Sequence, residues 1–384
     1  MKQLVSHIIG HKHVYGAIII AMLLVVADYI MSNASYPLLD SSDSLAPYAY
    51  LLDPEDGPDD EIVCVNVAYD KELTTVRDEF GDSLGSVAIT NRSTLLRFLD
   101  LASNSAYRYI FLDIRFEDGL ETENDSALFA RIKSMPRLVF STHRGLEDDI
   151  SDPALRAKSA YADYRHKRLS GFSRYEFIQD GQESVALRMY RELDGGEIHS
   201  CPLGYADKGR LCHNTMFISL PLSATDTYGP DGEILHPHLG SQLMVKYSPA
   251  ELQQLLDNKI VLIGDFENDL HSTFIGDVPG PLLSYYAYFA LHRGNHRVNY
   301  GLYVFLFAIY FGITLALFGR MPLKIKVKRP LLVLALSFVG WGLVLCSLKI
   351  ALFLLLSLDF CATIPAAVFS LISFYKKINN RNLS

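Results

Sequence analysis

Four long apolar runs bracket the chain, one near its start and three near its end, and the section between them is mixed. Two of the runs contain no charged residue, and each of the other two contains a single acid, Asp28 or Asp359. A helix needs roughly 20 apolar residues to cross about 30 Å of hydrocarbon. The pattern therefore predicts four transmembrane helices, one N-terminal and three C-terminal. They are residues 14–31, 300–319, 330–348 and 350–375.

The basic residues predict the orientation of these helices. Residues 320–329 contain five Lys or Arg, the tail 376–384 contains three, and residues 1–13 contain Lys2 and Lys12. Loops rich in Lys and Arg remain in the cytoplasm, which places residues 32–299 outside it. We expect a multi-pass protein of a bacterial cytoplasmic membrane with a large periplasmic or extracellular domain. The first helix could also be a signal peptide, but the cleavage site after Met31 is weak, which favours a retained anchor.

Charge is divided unevenly between the two parts of the chain. Of the 43 acids and 35 basic residues, 41 acids and 24 basic residues lie in residues 32–299, a net charge of about −17. Such a domain does not attract nucleic acid or anionic lipid. The charge could attract cations or basic partners, or it could only keep the domain soluble.

Alternating strand and helix patterns predict an α/β domain with a mostly parallel or mixed sheet in residues 32–299. Continuous apolar runs predict four strands, and Asn91 and Asn124 are typical of residues that begin helices. Residues 32–60 resemble a linker. We interpret residues 172–190 as a strand hairpin and 193–240 as a loop or insertion. The predicted strands are 61–69, 109–114, 138–142 and 260–263, and the predicted helices begin near residues 90 and 124.

Cysteine spacing suggests one disulfide. Cys201 and Cys212 flank a ten-residue loop outside the membrane, where an oxidising compartment allows such a pair to close. A metal site that includes His199 and His213 is a weaker alternative.

Polar residues follow the predicted strands at their carboxyl ends, where α/β sheets bind ligands. The set could bind a cation or an amine, or it could carry out acid–base chemistry if one carboxyl has a raised pKa. Alternatively, the carboxylates cap helices and satisfy loop amides. The candidate ligand-binding residues are Asp70, Asp113, Arg115, His143, Asp265, Asp269 and His271.

Common catalytic motifs do not occur in the sequence. We find no G-x-S-x-G elbow, no Walker loop, no dinucleotide fingerprint and no H-E-x-x-H. The acidic segment 265–269 lacks the spacing and the closing Glu of a calcium loop. We therefore expect no enzymatic activity, no cofactor and no metal.

The ordered motifs of the whole chain resemble the type-2 CHASE domain, an extracytoplasmic sensory domain of bacterial receptors. The likeness rests on VNVAYD (65–70), AITNRSTLLRFLD (88–100), FLDIRFED (111–118) and KIVLIGD followed by DLHSTFIGDVPG (259–280), with one transmembrane helix before and three after. The resemblance implies a sensor domain for an unknown signal.

Two departures qualify this resemblance. The family usually has a His in the segment that corresponds to 281–290, and no His occurs there in this chain. The Trp-Pro element that the family usually has before the first helix is also missing. In the family the last transmembrane helix commonly leads to a signalling enzyme, whereas only nine residues follow Tyr375, so we expect the signal to pass to a partner protein. Asp359, an acid within a predicted span, is a candidate for pairing with another transmembrane helix. A homo-oligomer and a structural role as an assembly platform remain open.

Overall fold

The computed structural model describes residues 2–32, 61–77, 80, 82–117, 120, 122–145, 150–164, 174–217, 228, 232–273, 276–318, 330–356 and 360–379. It consists of two compact units, Met1–Leu52 with Arg297–Ser384, and Asp53–His296. The second unit lies within the predicted outer domain of residues 32–299.

Helices and strands alternate through the unit Asp53–His296, and the other unit is helical in its described part. In chain order the elements are α1 (Lys2–Ser32), β1 (Ile62–Asn66), β2 (Lys71–Arg77), β3 (Ser83–Thr90), α2 (Arg92–Ala102), β4 (Tyr109–Leu112), α3 (Asp125–Ser134), β5 (Leu138–Thr142), α4 (Pro153–Arg156), β6 (Ser159–Tyr161), β7 (Arg174–Glu176), β8 (Ile178–Gln179), β9 (Gln182–Glu183), α5 (Val185–Asp194), β10 (Ile198–Cys201), β11 (Gly204–Asp207), β12 (Arg210–Cys212), β13 (Thr215–Phe217), a π-helical turn (Leu239–Leu243), α6 (Met244–Lys246), α7 (Pro249–Leu256), β14 (Ile260–Gly264), β15 (Leu270–Thr273), β16 (Gly276–Pro279), α8 (Gly280–His292), α9 (Tyr300–Phe318), α10 (Pro330–Leu356) and α11 (Thr363–Asn379).

A five-stranded parallel sheet forms the centre of the unit Asp53–His296. Its strand order is β1-β14-β4-β5-β6, and every neighbouring pair is parallel. Strands β4, β5 and β14 are buried along their whole length, as expected where helices cover both faces of a parallel sheet. The four apolar runs that predicted strands are all in this sheet, which confirms the predicted α/β fold with a parallel sheet.

Helices pack on both faces of the sheet. One face is covered by α2, α3 and α7, with Phe98, Leu128 and Leu252 in its core. The other is covered by α5 and α8, with Met189 and Tyr285 in its core. The unit is thus a three-layer α/β/α arrangement in which the carboxyl ends of all five strands share one edge.

Two segments differ from their predicted structure. Residues 184–190 form the start of α5 instead of a strand, because the Ser184 hydroxyl accepts the Leu187 amide and caps the helix. Residues 193–240 are not simply a loop, since β10, β11 and β12 form an antiparallel sheet there. The hairpin β2–β3 was not predicted, because its strands are largely exposed and lack a clear alternation. The predicted linker 32–60 lies almost entirely outside the described residues.

Helices α1, α9, α10 and α11 form the described part of the other unit. Tyr29 packs edge-on against Tyr303 and His13 lies beside Phe318, so α1 and α9 are antiparallel. Three segments in the described part of the chain are long and apolar enough to cross a membrane: His13–Ser32, Tyr300–Phe318 and Leu334–Leu352. They overlap the first three predicted transmembrane helices.

The boundary between the third and fourth predicted transmembrane helices lies later in the chain than we expected. Helix α10 continues through Lys349 to Leu356, because the apolar run resumes directly after Lys349 and Lys itself is a good helix former. Helix α11 then contributes only the shorter apolar segment Thr363–Tyr375. Its antiparallel packing on α10 includes a hydrogen bond from the Trp341 indole to Ser373. Asp359 and the basic segment 320–329 lie outside the described residues.

Candidate functional site

A cavity of about 570 Å³ opens at the carboxyl edge of the five-stranded sheet. All five strands contribute to it, because Val67, Asp113, His143, Asp163 and Asp265 lie on the segments that leave β1, β4, β5, β6 and β14. Its volume is typical of small-molecule sites, which range over roughly 300–1,000 Å³.

Six of the seven candidate residues line this one cavity. They are Asp113, Arg115, His143, Asp265, Asp269 and His271. Asp70 does not line it: β1 ends at Asn66, and the chain then turns, so that both carboxylate oxygens of Asp70 accept the Gly240 amide at 3.0 Å. Asp70 therefore satisfies an amide at the start of the π-helical turn Leu239–Leu243, in line with the alternative interpretation that these acids cap helices and satisfy amides.

Asp113 is the carboxylate at the centre of the cavity. It follows β4, the middle strand, and lies deep in the protein, yet it stays partly exposed because the cavity reaches it. Burial raises its pKa to about 7, and the nearby charge of Asp269 adds to the rise, while the Ser141 hydroxyl and His143 oppose it. No salt bridge to Asp113 occurs among the described residues.

Asp269 forms a second carboxylate beside Asp113. Its Oδ1 lies 2.9 Å from Nε2 of His271, and its backbone oxygen accepts the Gly280 amide at the start of α8. Burial raises its pKa, and the charge of Asp265 adds to the rise. Gly280 makes room for this carboxylate, since a Cβ atom there would lie 2.4 Å from Asp269 Oδ2.

The two histidines of the cavity have opposite electrostatic surroundings. His143 Nδ1 lies 2.9 Å from Asp163 Oδ1, and this hydrogen bond raises the His143 pKa against the effect of burial. Burial would raise the Asp163 pKa, but hydrogen bonds from His143 and the Arg144 amide outweigh it and lower the value. Burial lowers the pKa of His271, with a smaller contribution from His143. The surroundings therefore shift the pKa values of the two histidines in opposite directions.

Basic side chains form part of the cavity wall. Lys71 lies 3.5 Å from Asp265, and Arg115 lies 3.0 Å from Glu117. Asp265 also accepts the Glu267 and Asn268 amides. These interactions outweigh the effect of burial and keep the Asp265 pKa low. These charges are thus largely satisfied by the protein itself.

Arg92 is the buried cation of this wall. It is 2% exposed, its guanidinium lies 4.6 Å from the centre of the Phe116 ring, and its Nε is 3.5 Å from Asp125. Its Nη1 atom has no hydrogen-bond partner within the part of the chain that the structure describes.

Sequence reasoning missed four important residues of the cavity: Arg92, Ser141, Asp163 and Tyr164. Ser141 is 3% exposed and lies inside β5, so the sequence pattern shows only one polar residue within an apolar strand. Its hydroxyl has no hydrogen-bond partner of standard geometry among the described residues. Arg92 did carry a signal, because a basic residue in the first turn of a helix opposes the helix dipole. A basic residue at this position does not stabilise its helix, so it often has another role.

The cysteine pair is not joined in the structure. Cys201 is on β10 and Cys212 is on β12, with β11 between them. Two strand spacings amount to about 9–10 Å, beyond the roughly 7 Å that a disulfide tolerates between Cα atoms. In this arrangement closure would require the strands to move, and the disulfide stays a prediction. Among the described residues, no group of three His, Cys, Asp or Glu side chains is placed to hold a metal ion.

Comparison of the chain with protein-family models, with curated proteins and with solved structures finds no match. The resemblance to type-2 CHASE domains therefore stays a prediction. The function must be argued from the cavity.

Proposed function

We propose that this chain is an integral membrane receptor-like protein whose extracytoplasmic domain binds a small polar molecule. Binding would occur at the cavity on the carboxyl edge of the sheet, and the transmembrane helices would pass the change to a partner protein. The three helices of suitable length and apolarity support the membrane location. The position of the cavity supports binding, because open parallel sheets bind ligands at this edge.

Asp113 is the observation that carries the proposal. A carboxylate deep in a protein costs free energy unless it is paired. In the described part of the domain it borders the cavity and forms no salt bridge, and the charge of His143 only partly offsets its burial. Residues whose pKa is perturbed in a cleft are candidates for function. A ligand that supplies the missing counter-charge would recover this free energy.

Thermal unfolding of the full-length protein in detergent tests the proposal. Amines, amino acids, sugars, nucleotides and metal ions would be screened for a concentration-dependent rise in melting temperature, since a ligand that binds only the folded state stabilises it. We expect the rise to vanish in Asp113→Ala and in Gly280→Ala, which pushes Asp269 into the cavity. Asp180→Asn, at an exposed carboxylate outside the cavity, should keep it. The proposal fails if no compound in the library shifts the transition.

A protein-interaction platform is the second candidate function, and the hairpin β2–β3 favours it. Leu73 and Leu84 of this hairpin are 76% and 68% exposed, and a two-stranded hairpin is marginal on its own in water. Crosslinking and pull-down from membranes with a Leu73→Ser, Leu84→Ser double variant separates the two functions. Loss of a captured partner with unchanged ligand stabilisation would favour the platform.

A further inference from the structure

Two neighbouring polar groups of the cavity, Asp113 and Ser141, point to a bound donor. Asp113 forms no salt bridge among the described residues, and the Ser141 hydroxyl and the charge of His143 only partly offset its burial. The Ser141 hydroxyl is itself buried and makes no hydrogen bond of standard geometry within the described residues. Buried polar atoms are rarely left unpaired, because each one loses its hydrogen bonds to water on folding. A protonated amine offers several N–H donors and one positive charge, and it would satisfy both groups together.

The basic wall points to a bound acceptor. Arg92 is buried, lines the same cavity and keeps Nη1 unsatisfied in the described part of the chain. Its contact with Asp125 is long, at 3.5 Å, and its face is covered by Phe116. A guanidinium in this state accommodates a carboxylate, because its planar N–H groups match two carboxylate oxygens.

We propose that the cavity binds a small zwitterion that carries both a protonated amine and a carboxylate, such as an amino acid. The amine contacts Asp113 and Ser141, and the carboxylate contacts Arg92. This inference rests on the proposed binding function and specifies its ligand class. The apolar residues Val67, Ile89 and Ala162 also line the cavity and would contact the carbon skeleton of the ligand.

Ligand-observed NMR on the full-length protein in detergent tests the ligand class. L-Alanine is the zwitterionic probe, ethylamine carries only the amine, and propionate carries only the carboxylate. We expect L-alanine to bind at least tenfold more tightly than either single-charge probe, because only it satisfies both ends of the cavity. Equal binding of ethylamine and L-alanine would overturn the zwitterion and leave the proposed binding function intact.

Two variants separate the ends of the site. Arg92→Lys keeps a positive charge near Asp125 but loses the planar donor group, so it should weaken L-alanine at least tenfold and leave ethylamine unchanged. Asp113→Asn should weaken L-alanine and ethylamine alike. Retained ethylamine binding in Arg92→Lys also shows that the cavity is folded. Unchanged L-alanine affinity in Arg92→Lys contradicts the inference. Absence of any binding by these probes, together with an unresponsive library, removes the binding function as well.

Discussion

Replacing Asp113 by Asn should stabilise the outer domain at high pH. Burial raises the pKa of this carboxyl from an ordinary value of 3.8 to about 7. Each unit of difference is worth about 1.4 kcal/mol, so the ionised carboxylate costs the folded state up to about 4 kcal/mol at pH 8. At pH values between 3.8 and about 7 the folded state binds more protons than the unfolded state does. Asp113 therefore contributes stability below pH 3.8 that is lost progressively as pH rises to 7.

The variant removes this pH dependence and keeps the shape of the side chain. At pH 8 the gain of up to about 4 kcal/mol corresponds to a rise in melting temperature of about 8–16 °C for a domain of this size. At pH 5 the gain falls to about 1.5 kcal/mol, since most of the cost appears only above that pH. Scanning calorimetry of the full-length protein in detergent, without ligand, measures both values.

Asp180→Asn is the matched control, because its carboxylate is 73% exposed in the side chain and pairs with Arg144 at the surface. It should change the melting temperature little at either pH. If Asp113→Asn is no more stable than the wild type at pH 8, or gains equally at pH 5 and pH 8, the carboxylate is not held at a cost and the reasoning about the cavity is wrong.

Three further changes test the packing of both units. Asp207→Ala should cost about 3–5 kcal/mol in calorimetry, because Asp207 accepts a hydrogen bond at 3.1 Å from the buried His296. Burial alone would raise the Asp207 pKa, but the hydrogen bonds that it accepts outweigh burial and lower the pKa. The wild type should therefore lose this stability as pH falls below about 4, whereas the variant, which lacks the carboxylate, should not show this loss. Ser184→Ala removes the cap of α5 and should cost about 1 kcal/mol in the same measurement. Asp28→Ala removes the acceptor of the Cys361 amide between α1 and the segment before α11. The substitution should lower the free energy of unfolding by about 1–3 kcal/mol. Fluorescence of the single tryptophan, which lies in α10, would measure the unfolding transition. An unchanged transition would show that the contact contributes nothing.

The central sheet could be predicted because each of its long strands is a continuous apolar run. The residues of the site followed from a topological rule, since parallel strands bring their carboxyl ends to one edge. The rule worked for Asp113 and Asp265, which directly follow β4 and β14. It failed for Asp70 because apolar residues continue past the end of β1, and hydrophobicity alone does not show where a strand stops pairing.

The remaining site residues could not be predicted from local pattern. Ser141 looks like one polar residue in a strand, and only the tertiary structure shows that its hydroxyl faces a cavity. Arg92 looks like a solvated helix residue until Phe116 and Asp125 enclose it. Burial arises from contacts far apart in the sequence, so helix periodicity does not show it, and the basic charge of Arg92 in the first turn of its helix is only an indirect sign of it. The same limitation explains why the exposed hairpin β2–β3 was missed.

The role proposed for Asp113 connects stability with binding in a way that a purely structural role does not. If Asp113 had only a structural role in its loop, replacing it would lower the stability of the protein and would not change the binding of any ligand. If Asp113 binds an amine, the ligand-free protein is less stable than it could be, and the bound ligand restores part of the difference. Asp113→Asn should then raise the melting temperature of the empty protein and reduce the further rise that L-alanine causes. These opposite signs in one variant are expected of a carboxylate kept for binding.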